Sequence, residues 1–123
     1  MGWWILFEPE LQLVDREPMS PDLAGWRVER MPALPEIAYF TLAPDWVCEV
    51  LSNSTAKIDR DHKLPIYAAH GVAHVWLIDP VERTLEVHAL LERRVRLYEG
   101  DVRVRADPFS AIEIDLAALW PAR

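Results

Sequence analysis

The chain has little glycine and almost no cysteine: four glycines and one cysteine, Cys48, in 123 residues. A lone cysteine cannot close an internal disulfide, so nothing here asks for an oxidising compartment. Long apolar runs are also missing. Trp3–Phe7 is too short for a signal core or a membrane span, which points to a soluble, cytoplasmic protein with no membrane association. No internal repeat or low-complexity segment stands out. Positive charge is scarce, with 13 Lys and Arg against 20 Asp and Glu, a net charge of −7 and a pI near 5.0. That is the wrong sign for a generic nucleic-acid binder, which draws much of its affinity from Lys and Arg on phosphates. It suits a carboxylate-rich site that binds a cation first. The basic residues that cluster, Arg93, Arg94 and Arg96, then Arg103 and Arg105, read most simply as solvated strand faces.

What is present is a core. About half the residues are apolar, and the length fits one domain, spanning residues 1–123. Ten prolines mark the joints. Strands are expected at Trp3–Phe7, Glu10–Val14 and Leu23–Val28, with Glu36–Leu42 ambiguous. Trp46–Leu51 is a nearly continuous apolar run with β-branched and aromatic members, as in a strand buried on both faces. Ser52-Asn53-Ser54-Thr55 offers four N-cap residues, a helix follows over Ala56–Ala69, and Gly71 suits its C′ position. Pro65 should kink or split that helix. Val72–Ile78 is the next buried strand, completing a strand-helix-strand unit. Shorter strands are expected at Thr84–Leu91, Val95–Tyr98, Val102–Arg105 and Ile112–Ile114, with a last helical turn over Leu116–Trp120. The fold class is α/β: a mixed sheet with one principal helix.

Glu49 demands an explanation. It lies inside Trp46–Leu51, and strand alternation puts it on the face of Val47 and Leu51. A buried carboxylate without a partner costs several kcal/mol, so it needs a cation, a hydrogen-bond network or an open sheet face. Asp22, in Ser-Pro-Asp-Leu, is ordinary turn chemistry by itself and gains interest only with Glu49 nearby. Asp59, Lys63 and Tyr67 are spaced by four and share a helix face. Asp59 and Lys63 could simply pair on the surface, or that face could overlook the Glu49 strand with Lys63 pointing at it. Four histidines, His62, His70, His74 and His88, lack the paired spacing of a zinc site. Tyr67 and the six tryptophans read as core.

The stretch Pro44-Asp45-Trp46-Val47-Cys48-Glu49-Val50-Leu51-Ser52-Asn53-Ser54-Thr55 resembles the pattern of the Uma-two family, restriction-endonuclease-like proteins of the PD-(D/E)XK nuclease type. Asp59, Lys63, Tyr67, Gly71, Val72, Trp76 and Asp79-Pro80 fall where that family places them. Pro21-Asp22-Leu23 looks like its upstream Pro-Asp motif, and Ile112–Leu116 with Leu119-Trp120 looks like its closing strand and helix. Asn53 stands where the family has proline. The resemblance covers essentially the whole chain, as a short member lacking the family's N-terminal segment. It implies a restriction-endonuclease-like fold and a metal-dependent DNA endonuclease. Asp22 and Glu49 would bind Mg²⁺ or Mn²⁺, the Val50 carbonyl would complete the metal shell, and Lys63 would be the catalytic lysine, moved onto the helix because Leu51 occupies the position two after Glu49.

A reading of a different class stays open: a catalytically inactive, nuclease-like domain serving binding or assembly. Trp3 and Trp4 are adjacent and face opposite ways in a strand, so a homodimer that buries one of them is expected.

Overall fold

The computed structural model describes residues 2–13, 17–52 and 56–121, and for residues 56–59 the backbone alone. Its centre is the strand-helix-strand unit. Strands β1 (Trp3–Phe7), β2 (Leu23–Arg27) and β3 (Trp46–Val50) precede the helix α1 (Ala56–Ala69). Strands β4 (His74–Asp79), β5 (Thr84–Ala89) and β6 (Arg94–Glu99) follow it. They form one six-stranded sheet in sequential order, β1-β2-β3-β4-β5-β6. Only β3 and β4 are parallel, paired from Trp46 opposite His74 to Val50 opposite Ile78. A parallel pair needs a long crossover, and α1 supplies it. The other neighbours are antiparallel. Two short strands, β7 (Arg103–Val104) and β8 (Ile114–Asp115), pair separately, and a 3-10 turn follows at Leu116–Leu119.

The strands at the centre are apolar on both sides because both faces of the sheet are covered. On one face Val47, Val75 and Leu77 pack with Tyr67 of α1 and with Leu11, Leu13 and Trp26. On the other, Trp46, Cys48, Trp76 and Val87 meet Val104, Leu116 and Trp120 of the C-terminal segment. Phe109 lies with its ring centroid 4.8 Å from that of Trp3, 5.0 Å from Trp46 and 5.7 Å from Trp76. The contacts with Trp46 and Trp76 are edge-on, the geometry that suits the ring quadrupoles.

Several local expectations are corrected. Among the described residues of the expected strand Glu10–Val14, 10–13 form no strand: of these only Leu11 is bridged, to Met19 on one side and Phe40 on the other, so the backbone bonds are split between two distant segments. Pro65 does not split the helix, which runs through it as one element. The helix ends as its glycine suggests. Gly71 has φ +79°, Val72 N–H donates to Tyr67 O at 3.1 Å and Gly71 N–H to Ala68 O at 3.2 Å, the paired bonds of a Schellman cap. The N-cap cluster at 53–55 and the side chain of Asp59 lie outside the described residues. Trp3 and Trp4 do face opposite ways, but each is half-buried within the chain: Trp3 packs on Phe109, and Trp4 Nε1 donates to Met31 O at 2.9 Å. The exposed apolar residues of β1 are Ile5 and Phe7.

Candidate active site

The site follows from register. The β2–β3 pairing runs Gly25 opposite Trp46, Ala24 opposite Val47 and Leu23 opposite Cys48. One step further, Asp22 falls opposite Glu49, and residues directly opposite on antiparallel strands project from the same face. That is the face covered by α1. Asp22 has a firm anchor there: its Oδ2 accepts the Val50 N–H at 2.6 Å. Leu51 N–H donates to Ile78 O, toward β4, so alternation turns the backbone groups of Val50 toward β2. Its ladder partner on that side would be Pro21, which has no N–H to give the Val50 carbonyl. The Pro-Asp dipeptide just before β2 therefore offers Val50 no N–H from its proline, while the aspartate side chain takes the Val50 N–H.

Glu49 is 5 % exposed. The helix supplies its partners from two positions four apart. Lys63 Nζ is 3.3 Å from Glu49 Oε2, and Tyr67 Oη donates to the same oxygen at 2.9 Å. Burial pushes the Glu49 carboxyl above its ordinary value; the Lys63 charge and the Lys63 and Tyr67 hydrogen bonds pull it back, and the charge of Asp22 adds a smaller push upward. The Tyr67 hydroxyl is itself driven well up by burial and by Glu49, so it stays a neutral donor. Cys48, on the opposite face of β3, has its thiol pushed up to about 12 by burial, then by Asp22 and Glu49.

The lysine is not sealed in. Its side chain is 31 % exposed and, with Tyr67 and His62, lines a groove of about 600 Å³ whose other wall carries Glu17, Met19 and Ser20. Further along the same face, Glu86 on β5 accepts from Arg60 Nη2 at 2.7 Å and contacts His88 Nε2 at 2.9 Å, tying α1 down over the sheet. Among the described residues, no group of three or more His, Cys, Asp or Glu side chains could hold a metal ion.

Of the residues singled out in the sequence, Lys63 on α1 reaches Glu49 on β3, and Asp22, just before β2, accepts the Val50 N–H. Tyr67, read as core, is buried as core is, yet its hydroxyl belongs to the cluster. Its spacing of four from Lys63 was the available signal.

A family model described as "Uma2: Putative restriction endonuclease" matches residues 2–117. No curated protein matches the chain. Among solved structures, "a putative nuclease" from Anabaena variabilis ATCC 29413 is similar with a TM-score of 0.78 at 23 % identity, over 96 % of this chain and 68 % of that one. At that identity the likeness speaks for the fold alone.

Proposed function

Because the chain belongs to the Uma2 family of restriction-endonuclease-type proteins, we propose that it is a metal-dependent DNA endonuclease whose site is built from Asp22, Glu49, Val50, Lys63 and Tyr67. The observation that carries this reading is Lys63 lying 3.3 Å from a buried Glu49, with Asp22 bonded to the N–H of the next residue, where a buried glutamate would otherwise be a liability.

The donor set fits a hard cation. Two carboxylates and a carbonyl without a ladder donor are oxygen ligands only, and Mg²⁺ or Mn²⁺ keeps several waters beside few protein ligands. Asp22, Glu49 and the Val50 carbonyl would hold it; when bound, such an ion polarises a phosphodiester and makes its water more acidic. The chain's own residues do the rest. Tyr67 holds Glu49 Oε2 by a hydrogen bond and opposes the upward push of burial on its pKa. Lys63 reaches from the buried oxygen to the open groove, so its ammonium offsets negative charge developing on a phosphate seated there. DNA would enter through that groove. Cutting both strands needs two such sites, and a homodimer through the open edge of β1, where Ile5 and Phe7 are exposed, would supply the second.

The test is cleavage of plasmid DNA with Mg²⁺ or Mn²⁺, which chelator should abolish. Glu49→Ala should lose Mn²⁺ binding in calorimetry as well as cleavage. Lys63→Ala should keep Mn²⁺ binding and lose cleavage. Mn²⁺ binding without any cleavage by the wild type would mark a nuclease-like domain that binds but does not cut. Cleavage unchanged in the Glu49 variant would remove the assignment. Light scattering that shows a monomer at high concentration would remove the dimer.

A further inference from the structure

We propose that a groove on the sheet face opposite Glu49 is a second binding site, one that holds the phosphate backbone of a single-stranded nucleic acid. The β5–β6 register places it. Val87 faces Arg96, Ala89 faces Arg94 and Leu85 faces Tyr98. Val87 and Leu85 belong to the core with Trp76, away from α1, so Arg94, Arg96 and Tyr98 project from that face too. Arg105, beside β7, closes the groove, which has a volume of about 340 Å³ and a floor of Val87 and Ala89.

Three features make this more than a solvated strand. First, the guanidinium groups are held. Arg105 Nη1 donates to the carbonyls of Ser110 and Ala111 at 3.2 and 3.1 Å, and the Arg96 guanidinium lies 5.9 Å from the Tyr98 ring centroid. Second, they are not neutralised. Among the described residues neither Arg96 nor Arg105 forms an ion pair with a carboxylate. Arg94 is paired with Glu92, but those side chains are 68 % and 57 % exposed, and so open a pair is easily exchanged for a phosphate. Third, Tyr98 is half-buried beneath them, and a basic groove with an aromatic ring is what unstacked bases and their backbone fit. One carboxylate, Asp107, also lines the groove, and would weaken rather than forbid phosphate binding. In a chain of net charge −7, three arginines in one groove are a local reversal of sign. Because the sheet separates this groove from Glu49, a strand held here is not the segment presented to Glu49. The proposal does not depend on the nuclease reading.

The experiment is fluorescence anisotropy of a labelled oligothymidylate in EDTA, titrated with the whole chain over a range of salt. Arg96→Ala/Arg105→Ala should bind at least about ten-fold more weakly, and its salt slope should fall by about 1.4, from two phosphate contacts at about 0.7 each. Arg96→Lys/Arg105→Lys should keep most of the slope. Arg93→Ala removes one charge of the same sign outside the groove and should bind as the wild type does. A double alanine variant within two-fold of wild type would overturn the proposal, and so would wild-type protein that binds no oligothymidylate at low salt. An equal loss in Arg93→Ala would do the same, by showing diffuse attraction instead of a site. Cleavage plays no part in this readout, so it can fail while the nuclease reading stands, and the reverse.

Discussion

Tyr67→Phe isolates the cost of keeping Glu49 charged. The change removes one oxygen from a side chain that is 1 % exposed, leaving the ring and its packing in place. What is lost is a 2.9 Å hydrogen bond to Glu49 Oε2. A bond to a charged acceptor contributes about 1.5–3 kcal/mol, and one between neutral groups about 0.5–1.5 kcal/mol. Burial holds the folded-state pKa of Glu49 above its ordinary 4.5, against the pull of Lys63 and Tyr67. The folded chain therefore binds this proton more readily than the unfolded chain. Stability from this group is greatest below the unfolded value and is lost as pH rises through the folded one. Without the tyrosine donor the folded value rises further, so the damage grows with pH. We expect Tyr67→Phe to cost about 1.5–3 kcal/mol at pH 8.5 and roughly 0.5–1.5 kcal/mol at pH 4.5. At about 3–6 °C per kcal/mol for a chain of this size, the alkaline loss is easily seen in thermal unfolding followed by circular dichroism in EDTA. A loss equal at both pH values, or below about 0.5 kcal/mol at pH 8.5, would refute the account of Tyr67 as the donor that supports an ionised Glu49.

Other outcomes follow from the same geometry. Glu49→Gln should stabilise the metal-free protein by about 0.5–2 kcal/mol at pH 8.5, because it removes a desolvated charge, and the gain should shrink toward pH 4.5; a less stable variant at pH 8.5 would contradict this. Cys48, with its thiol near 12, should resist a disulfide-exchange reagent at pH 8 in the native state and react fully in denaturant; rapid native labelling would show that the face under Trp46 and Trp76 opens. Pro21→Ala restores an N–H opposite the Val50 carbonyl and should weaken Mn²⁺ binding by about 10-fold while the protein still melts cooperatively; unchanged affinity in calorimetry would exclude that carbonyl as a ligand.

The parts legible in the sequence were those whose cause is local. Glu49 stood out because a charge within an apolar strand is costly wherever the strand goes, and the helix after it was visible from its glycine cap and its length. Asp22 was not legible alone. Its significance arises from the register that sets it opposite Glu49, and register is a property of two strands. Glu10–Val14 looked like a strand by composition, but whether a segment joins a ladder depends on partners, and here Met19 and Phe40 each take only part of its backbone. The partial cover of Trp3 was hidden for a similar reason: Phe109, far along the chain, returns to pack on it.

The route of the chain brings the site together from two separate spans. Glu49, Lys63 and Tyr67 sit within one contiguous strand-helix-strand stretch, and the Tyr67–Glu49 bond spans 18 residues. The bond from Val50 to Asp22 spans 28 residues and requires β2 to dock first. Loop-closure cost grows only slowly with length, so the two spans differ by only about 0.4 kcal/mol in closure. Two acids that would repel each other in an apolar setting are accompanied in the folded chain by an ammonium group 3.3 Å from one of them.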